Sequence, residues 1–283
     1  MAIITISRGC FSHGKEIAER VAAKLGYECI SKEVLLEASH FFNIPEAQLS
    51  RSIQEAPGLL DRFSNTRQHF LDCIQAALLE HVIQDNVVYH GHAGHIFLPR
   101  IGHVLKVRVM AKMDDRVALV RSQGNLSREK ALQLIAEEDR QREEWYHRIY
   151  KKDMSSPCFY DRVLHIGHLT IDDACDLICQ TVARESFKTT RRSQRSLQDL
   201  ALSHHVKMAL ASVCKAEVSA KNGVVRIDVK SQKLRHASFT RPGMQKRVQS
   251  RIRDDLLQDI TALVSAIPGV KDMVCHIDTP HYV

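Results

Sequence analysis

Near the start of the chain, Gly9-Cys10-Phe11-Ser12-His13-Gly14-Lys15 has the residue types and the G-x-x-x-x-G-K spacing that hold phosphate. Backbone N–H groups of such a loop, with the start of the following helix, form a positive concavity for phosphoryl oxygens. Lys15 adds a full charge. Gly9, Ser12, His13, Gly14, Lys15 and Glu16 are therefore the candidate contacts to nucleotide phosphate. Glu16 stands where a P-loop ordinarily carries the Ser or Thr that meets Mg²⁺. A carboxylate there repels phosphate unless a cation neutralises it. The spacing alone also suits a plain glycine-rich turn with a surface lysine.

Phosphoryl transfer rests on positioning and charge neutralisation, so it needs several arginines near such a loop. Residues 116–162 supply them: Arg116, Arg121, Arg140 and Arg142, followed by Lys151, Lys152, Asp153 and Tyr160-Asp161. A helical segment so rich in arginine could close over a nucleotide as a lid and exclude water. It also reads as a solvated helix with i,i+4 pairs such as Glu138–Arg142. His90, His92 and His95 could hold zinc. They fit better as polar residues at a strand end, so no metal site is expected.

The elements that must position these residues follow from periodicity. Residues 2–7, 87–90, 105–110 and 163–166 are apolar runs typical of buried strands. Between them, helical spacing covers 16–25, 31–42, 66–85, 114–122, 127–150 and 172–182. The 66–85 helix places Phe70, Cys73, Ile74, Ala77, Leu78 and Val82 on one face. Strands alternating with helices predict an α/β unit with a parallel sheet. Residues 184–198 are polar and basic and read as a linker. Beyond it, a helix at 197–213, a hairpin turning at Asn222-Gly223, a helix at 245–266 and a strand at 270–277 predict a small α-β-β-α-β domain.

Composition bounds the rest. The 283 residues suit one large or two ordinary domains. Neither a membrane-spanning run nor a secretory leader is visible, so a cytoplasmic location is expected. The eight cysteines form no C-x-x-C pair and read as reduced thiols. Residues 1–183 carry 22 Lys and Arg against 24 Asp and Glu, a net of −2, whereas 184–283 carry a net of +9. The basic C-terminal third either meets an anionic partner or is simply kept soluble.

The first 183 residues resemble the cytidylate-kinase-like branch of the nucleoside monophosphate kinases. The resemblance rests on Ile4-Thr-Ile-Ser-Arg-Gly9, His13-Gly14-Lys15-Glu16-Ile17-Ala18, Tyr89-His-Gly-His-Ala93, Asp139-x-x-Arg142 with Trp145-Tyr146, and Tyr160-Asp161. Glu after the basic loop residue is common in that branch. The resemblance implies a P-loop α/β fold with an arginine-bearing lid and ATP phosphates held by residues 12–16. Mg²⁺ would ride on ATP, with Glu16 acting through water. It implies catalytic roles for Lys15, Arg116, Arg121 and Arg142, with Asp161 orienting the lid. The acceptor is a nucleoside monophosphate, CMP or dCMP first. The sequence departs from the family at His92 and Leu119, where arginines are usual, and at Met154, where a lid tryptophan is usual.

Residues 199–279 resemble a BON domain, through Glu217-Val218, the Asn222-Gly223-Val224 turn, and Ile267-Pro-Gly-Val270-Lys-Asp-Met-Val274. Such domains bind rather than catalyse. Lys246, Arg247, Arg251 and Arg253 on one helix suit an anionic ligand, or form a solvated face. Aromatic residues for base stacking are nearly absent, which disfavours nucleic acid. The sequence thus reads as a kinase-like domain at 1–183, a linker at 184–198 and a BON-like domain at 199–283. The alternatives are a nucleotide-sensing regulator that binds ATP without transfer, and an adaptor that binds no nucleotide.

Overall fold

The structure, a computed structural model, describes residues 1–31, 33–42, 44–54, 66–91, 93–151, 153, 156–230, 233–234, 242–278 and 281–282. His92 and Met154, two of the family departures, lie outside the described residues. The chain divides into two compact units, Met1–Gln194 and Arg195–Val283.

In the first unit a five-stranded sheet has the order β2-β3-β1-β4-β5, every pair parallel. The strands are β1 (Ile3–Arg8), β2 (Glu28–Ile30), β3 (Val87–Tyr89), β4 (Val104–Ala111) and β5 (Arg162–Ile166). Between them run α1 (Gly14–Leu25), α2 (Glu33–Phe42), α3 (Glu46–Gln54), α4 (Thr66–Val82), α5 (Gly94–Phe97), α6 (Met113–Gly124) and α7 (Arg128–Tyr150), with α8 (Ile171–Val182) after β5. Central β1 is buried on both faces, Ile3, Ile4 and Ile6 all being inaccessible, as a parallel strand covered by helices must be. Ile17, Ala18 and Val21 of α1 and Ala174, Cys175 and Ile178 of α8 share a core with Ile4, Ile6, Val107 and Val109 of the sheet. This is the doubly covered parallel sheet that the periodicity predicts.

Two local differences have physical causes. The fifth strand, β2, escapes periodicity because it is a three-residue edge strand that opens on an exposed glutamate. Helix α4 buries Leu71, Ala76 and Leu79 as well as the predicted Cys73, Ile74, Ala77, Leu78 and Val82, because it packs against both α2 and α3. Phe70 is only half-buried. Helices α6 and α7 form a hairpin with its own small core of Val117, Val120, Ala131 and Ile135.

The stretch read as a linker is not extended. It carries a 3-10 turn at Glu185–Phe187, and α9 (Arg191–Leu210) begins inside it. Thr190 and Ser193 fix that start reciprocally: the Ser193 hydroxyl accepts from Thr190 N and the Thr190 hydroxyl from Ser193 N. No glycine or proline interrupts 191–210, so the basic side chains simply decorate a helix.

The second unit pairs β6 (Ala216–Lys221) antiparallel with β7 (Val224–Val229) and β7 parallel with β9 (Asp272–Ile277). α10 (Pro242–Ser265) precedes β9, and short β8 (Lys233–Leu234) pairs with β10 (His281–Tyr282). Val206 and Leu210 of α9 and Ile260 and Val264 of α10 cover Val225, Ile227 and Val229. Asn222 (φ 56°) and Gly223 (φ 83°) make the two-residue turn, and the Asp199 carboxylate accepts from both of their amides at 2.9 and 3.2 Å. Among the described residues no helix is long and apolar enough to cross a membrane.

Candidate functional site

The predicted phosphate loop joins the C-terminal end of β1 to α1, the edge of a parallel sheet where ligands bind. Its path is set by bonds to neighbouring β4. Gly9 N donates to Val109 O at 3.0 Å. The Ser12 hydroxyl donates to Gly9 O at 2.8 Å and reaches Val109 O at 3.1 Å, so Ser12 shapes the loop through its side chain. Phe11 (φ 55°) and His13 (φ 62°) take left-handed conformations. The first α1 bond runs from Ile17 N to His13 O. The amides of Gly14, Lys15 and Glu16 therefore precede the first helical bond of α1 and carry its positive dipole end.

Gly14 is required by space. A Cβ there would stand 2.7 Å from Arg8 Cβ and 2.8 Å from Arg8 Cδ. Gly9 is not so constrained: its nearest neighbour would be Ser12 Oγ at 3.7 Å.

Two clefts flank the loop. One, of about 310 Å³, is lined by His13, Lys15, Glu16, Glu19, Leu119 and Gln123 among others. The other, of about 330 Å³, is lined by Ser7, Arg108, Met110, Arg116, Tyr146 and Tyr160 among others. Arg8 and Arg142 line both. Arg142 donates to the Arg8 carbonyl at 2.6 Å, and its charge, after desolvation, holds the Arg8 guanidinium below its ordinary pKa. Two arginines kept together at the meeting of two clefts repel unless an anion lies between them.

The predicted residues are distributed unevenly around these clefts. Lys15 lies in the lysine cleft, exposed, 3.6 Å from Glu19. Glu16 pairs with Arg20 at 2.6 Å, which supplies the neutralisation a carboxylate beside phosphate requires, and lies 3.4 Å from the His13 ring. Arg116 donates to the Cys10 carbonyl and to Asp139, both at 2.7 Å, tying α6 and α7 to the loop. Asp139 also accepts from Cys10 N at 3.4 Å. Arg121 lines neither cleft; its guanidinium donates to Leu126 O at 3.2 Å and closes the α6–α7 turn. Asp161 is also outside both. Its carboxylate accepts from Lys106 N at 2.8 Å and fixes β5 against β4.

Sequence reading did not name Arg108, gave Arg8 and Tyr146 no role at the site, and weighed His95 only as a zinc ligand. Nothing in spacing marks a strand arginine as a site residue. The buried ring of His95 bonds Ser7 Oγ through Nδ1 at 2.8 Å and meets Tyr160 Oη through Nε2 at 3.4 Å. Burial, with Lys106 and Arg108 nearby, pushes its pKa down from 6.5 to about 3, so the imidazole is neutral. Burial and then Tyr160 push Tyr146 up to about 12, so it remains a phenol. Burial likewise pushes the Cys10 thiol up to about 12. It is protonated and no nucleophile, and it donates to Glu138.

The loop fits nucleotide phosphate. For a metal the fit is weaker. Among the described residues no three His, Cys, Asp or Glu side chains gather to hold an ion. Glu16 is the carboxylate next to the loop lysine, and Arg20 and His13 already engage it.

Residues 3–168 match the cytidylate kinase-like family. A uronate isomerase of Corynebacterium glutamicum is 30% identical over 119 residues, 42% of this chain. The chain spans only 22% of the length of that curated relative. Among solved structures, an uncharacterized protein from Eubacterium ventriosum is 19% identical with a TM-score of 0.49, over 65% of this chain and 100% of that one. A shikimate kinase from Bacteroides thetaiotaomicron is 11% identical with a TM-score of 0.40, over 65% of this chain and 99% of its own.

Proposed function

We propose, for a chain that belongs to the cytidylate kinase-like family, that the N-terminal unit transfers the γ-phosphoryl group of ATP to a nucleoside monophosphate, CMP or dCMP first. The observation that carries this reading is the pair of clefts sharing Arg8 and Arg142. ATP would lie in the lysine cleft. The amides of residues 12–15 and the Lys15 ammonium would meet its phosphates. The acceptor would lie in the tyrosine cleft. Its phosphate oxygen attacks the γ-phosphorus, the bond to the β-bridging oxygen breaks, and ADP departs. Arg8 and Arg142 stand where negative charge spreads in that step, and Arg116 holds the loop and lid in register. Mg²⁺ would arrive on the nucleotide and would supply charge neutralisation at its phosphates.

The α6–α7 hairpin serves as the lid, excluding water when it closes. A second reading, the nucleotide-sensing regulator, is favoured by one observation: Arg116 is already engaged by Asp139. The kinase domain is taken as 1–183. The C-terminal unit, with its own core and surplus of basic residues, supports a BON-like module at 199–283 that binds an anionic ligand.

The test is ADP production from Mg-ATP against a panel of nucleoside and deoxynucleoside monophosphates, with Lys15→Ala as control. Lys15-dependent turnover with one acceptor supports the kinase and names its substrate. ATP binding without turnover supports the regulator.

A further inference from the structure

Resting on the proposed reading of the N-terminal unit, we propose that the Cys10 amide and the Arg116 guanidinium form a binding position for a phosphoryl oxyanion, which the Asp139 carboxylate fills until a substrate phosphate displaces it. The carboxylate spans the two donors as two phosphate oxygens would. Asp139 Oδ2 accepts from Arg116 Nη2 at 2.7 Å, and Oδ1 accepts from Cys10 N at 3.4 Å. The position lies on the seam of the two clefts. Arg116 and Asp139 line the tyrosine cleft, and Cys10 lines the lysine cleft.

The carboxylate is an exchangeable occupant, because the two donors are held without it. Arg116 Nε donates separately to the Cys10 carbonyl at 2.7 Å, and the preceding Gly9 amide is bonded to Val109 of β4. Guanidinium and amide therefore keep their places when Asp139, which comes from α7, moves away. Access points the same way. The Arg116 side chain is 11% exposed and that of Asp139 is 40% exposed, so the cation is enclosed while the carboxylate has water to move into. The 3.4 Å amide bond is long, with room to shorten toward a better acceptor. Phosphate is that acceptor: it brings a third oxygen and more charge to the same donors. A carboxylate that stayed would meet phosphate charge at contact distance, where like charges repel. The engagement of Arg116 thus has a use in the reaction. It neutralises the empty site and yields to substrate.

The experiment uses the full chain and calorimetric titration with ATP, ADP, CMP and cytidine. Asp139→Asn keeps the shape and removes the charge, and should tighten phosphate binding about three- to tenfold, with cytidine unchanged. A gain for ATP without one for ADP places the γ-phosphate at this position; a gain for CMP places the acceptor phosphate there. Asp139→Glu keeps the charge and should stay within about twofold of wild type. In an Arg116→Gln background the gain from Asp139→Asn should shrink below about twofold. A gain that persists there belongs to the general field of the site and overturns the assignment. So does unchanged or weaker binding by a folded Asp139→Asn protein, which makes Asp139 a tie between helix and loop. Should Asp139→Asn fail to fold, nuclear magnetic resonance of wild type decides: the Cys10 amide and the Arg116 Nη protons should shift together on saturation with ATP or CMP, and shifts that spare either group overturn the assignment. Turnover by wild type without a gain in Asp139→Asn defeats this assignment and leaves the kinase reading standing. Tighter phosphate binding by Asp139→Asn without turnover by wild type defeats the kinase reading and upholds the assignment. Absence of phosphate binding by both proteins defeats both.

Discussion

Replacing Gly14 by alanine should damage both stability and the phosphate site, for a reason that is steric. The added Cβ would lie 2.7 Å from Arg8 Cβ, where ordinary contact is 3.4–4 Å. The gap must open by about 0.7 Å or more. Arg8 Cβ cannot yield as a side-chain tip can. It is fixed to β1, in register with Val109 of β4, and the next residue's amide donates to Val109 O. Overpacking of this kind costs about 1–3 kcal/mol. Alanine's better helix propensity returns less than about 1 kcal/mol at a helix start. The net expectation is a loss of about 1–2 kcal/mol in urea unfolding. ATP affinity should fall about tenfold or more as Arg8 is displaced. A double-mutant cycle locates the cause. Arg8→Gly removes the Cβ, Cγ and Cδ atoms that the new methyl would meet, so it should relieve the loss of stability; Arg8→Ala keeps the 2.7 Å contact and should not. A Gly14→Ala protein with wild-type unfolding and ATP titration, or equal relief by both Arg8 variants, would refute the reasoning.

Gly9→Ala, by contrast, should leave stability within about 0.5 kcal/mol, because its Cβ meets nothing closer than 3.7 Å; thermal unfolding checks this. His95 has a folded pKa of about 3 against an ordinary 6.5, so the unfolded chain takes up the proton first as pH falls. Its contribution is complete above pH 6.5 and is lost below it, by up to ~1.4 kcal/mol per pH unit; His95→Gln should flatten the acid limb of urea stability between about pH 6 and 4. Arg116→Ala should lower kcat by about 100-fold or more, whereas Arg121→Ala should stay within about threefold, since only Arg116 touches the loop; steady-state kinetics separates them. Asp199→Ala strips two amides of the 222–223 turn of their acceptor and should cost about 1–2 kcal/mol, read in chemical unfolding.

Much of this architecture is legible in the chain because its signals are local. The β-branched run of β1, the G-x-x-x-x-G-K loop and the spacing of α1 announce strand, turn and helix. The Asn222-Gly223 pair announces its hairpin. Lys15, Arg116 and Arg142 are legible as cleft residues because they sit in or beside recognisable motifs. Arg8, Arg108 and His95 are not, because their roles come from which strands lie side by side. Ser7 meets His95 across 88 positions, and only the parallel order of β3, β1 and β4 brings them together. Arg121 shows the converse: composition marks it as a lid arginine, but a left-handed Asn125 turns the chain so that the guanidinium serves the Leu126 carbonyl.

The central claim is that two substrates meet at Arg8 and Arg142. The most direct measurement is calorimetric binding of an adenosine–cytidine pentaphosphate, a single molecule long enough to occupy both clefts, to wild type and to Arg142→Ala. The account predicts that it binds at least about 100-fold more tightly than ATP or CMP alone, is displaced by each of them, and loses most of that advantage in Arg142→Ala. Binding no tighter than ATP, or displacement by ATP but not by any nucleoside monophosphate, would contradict it.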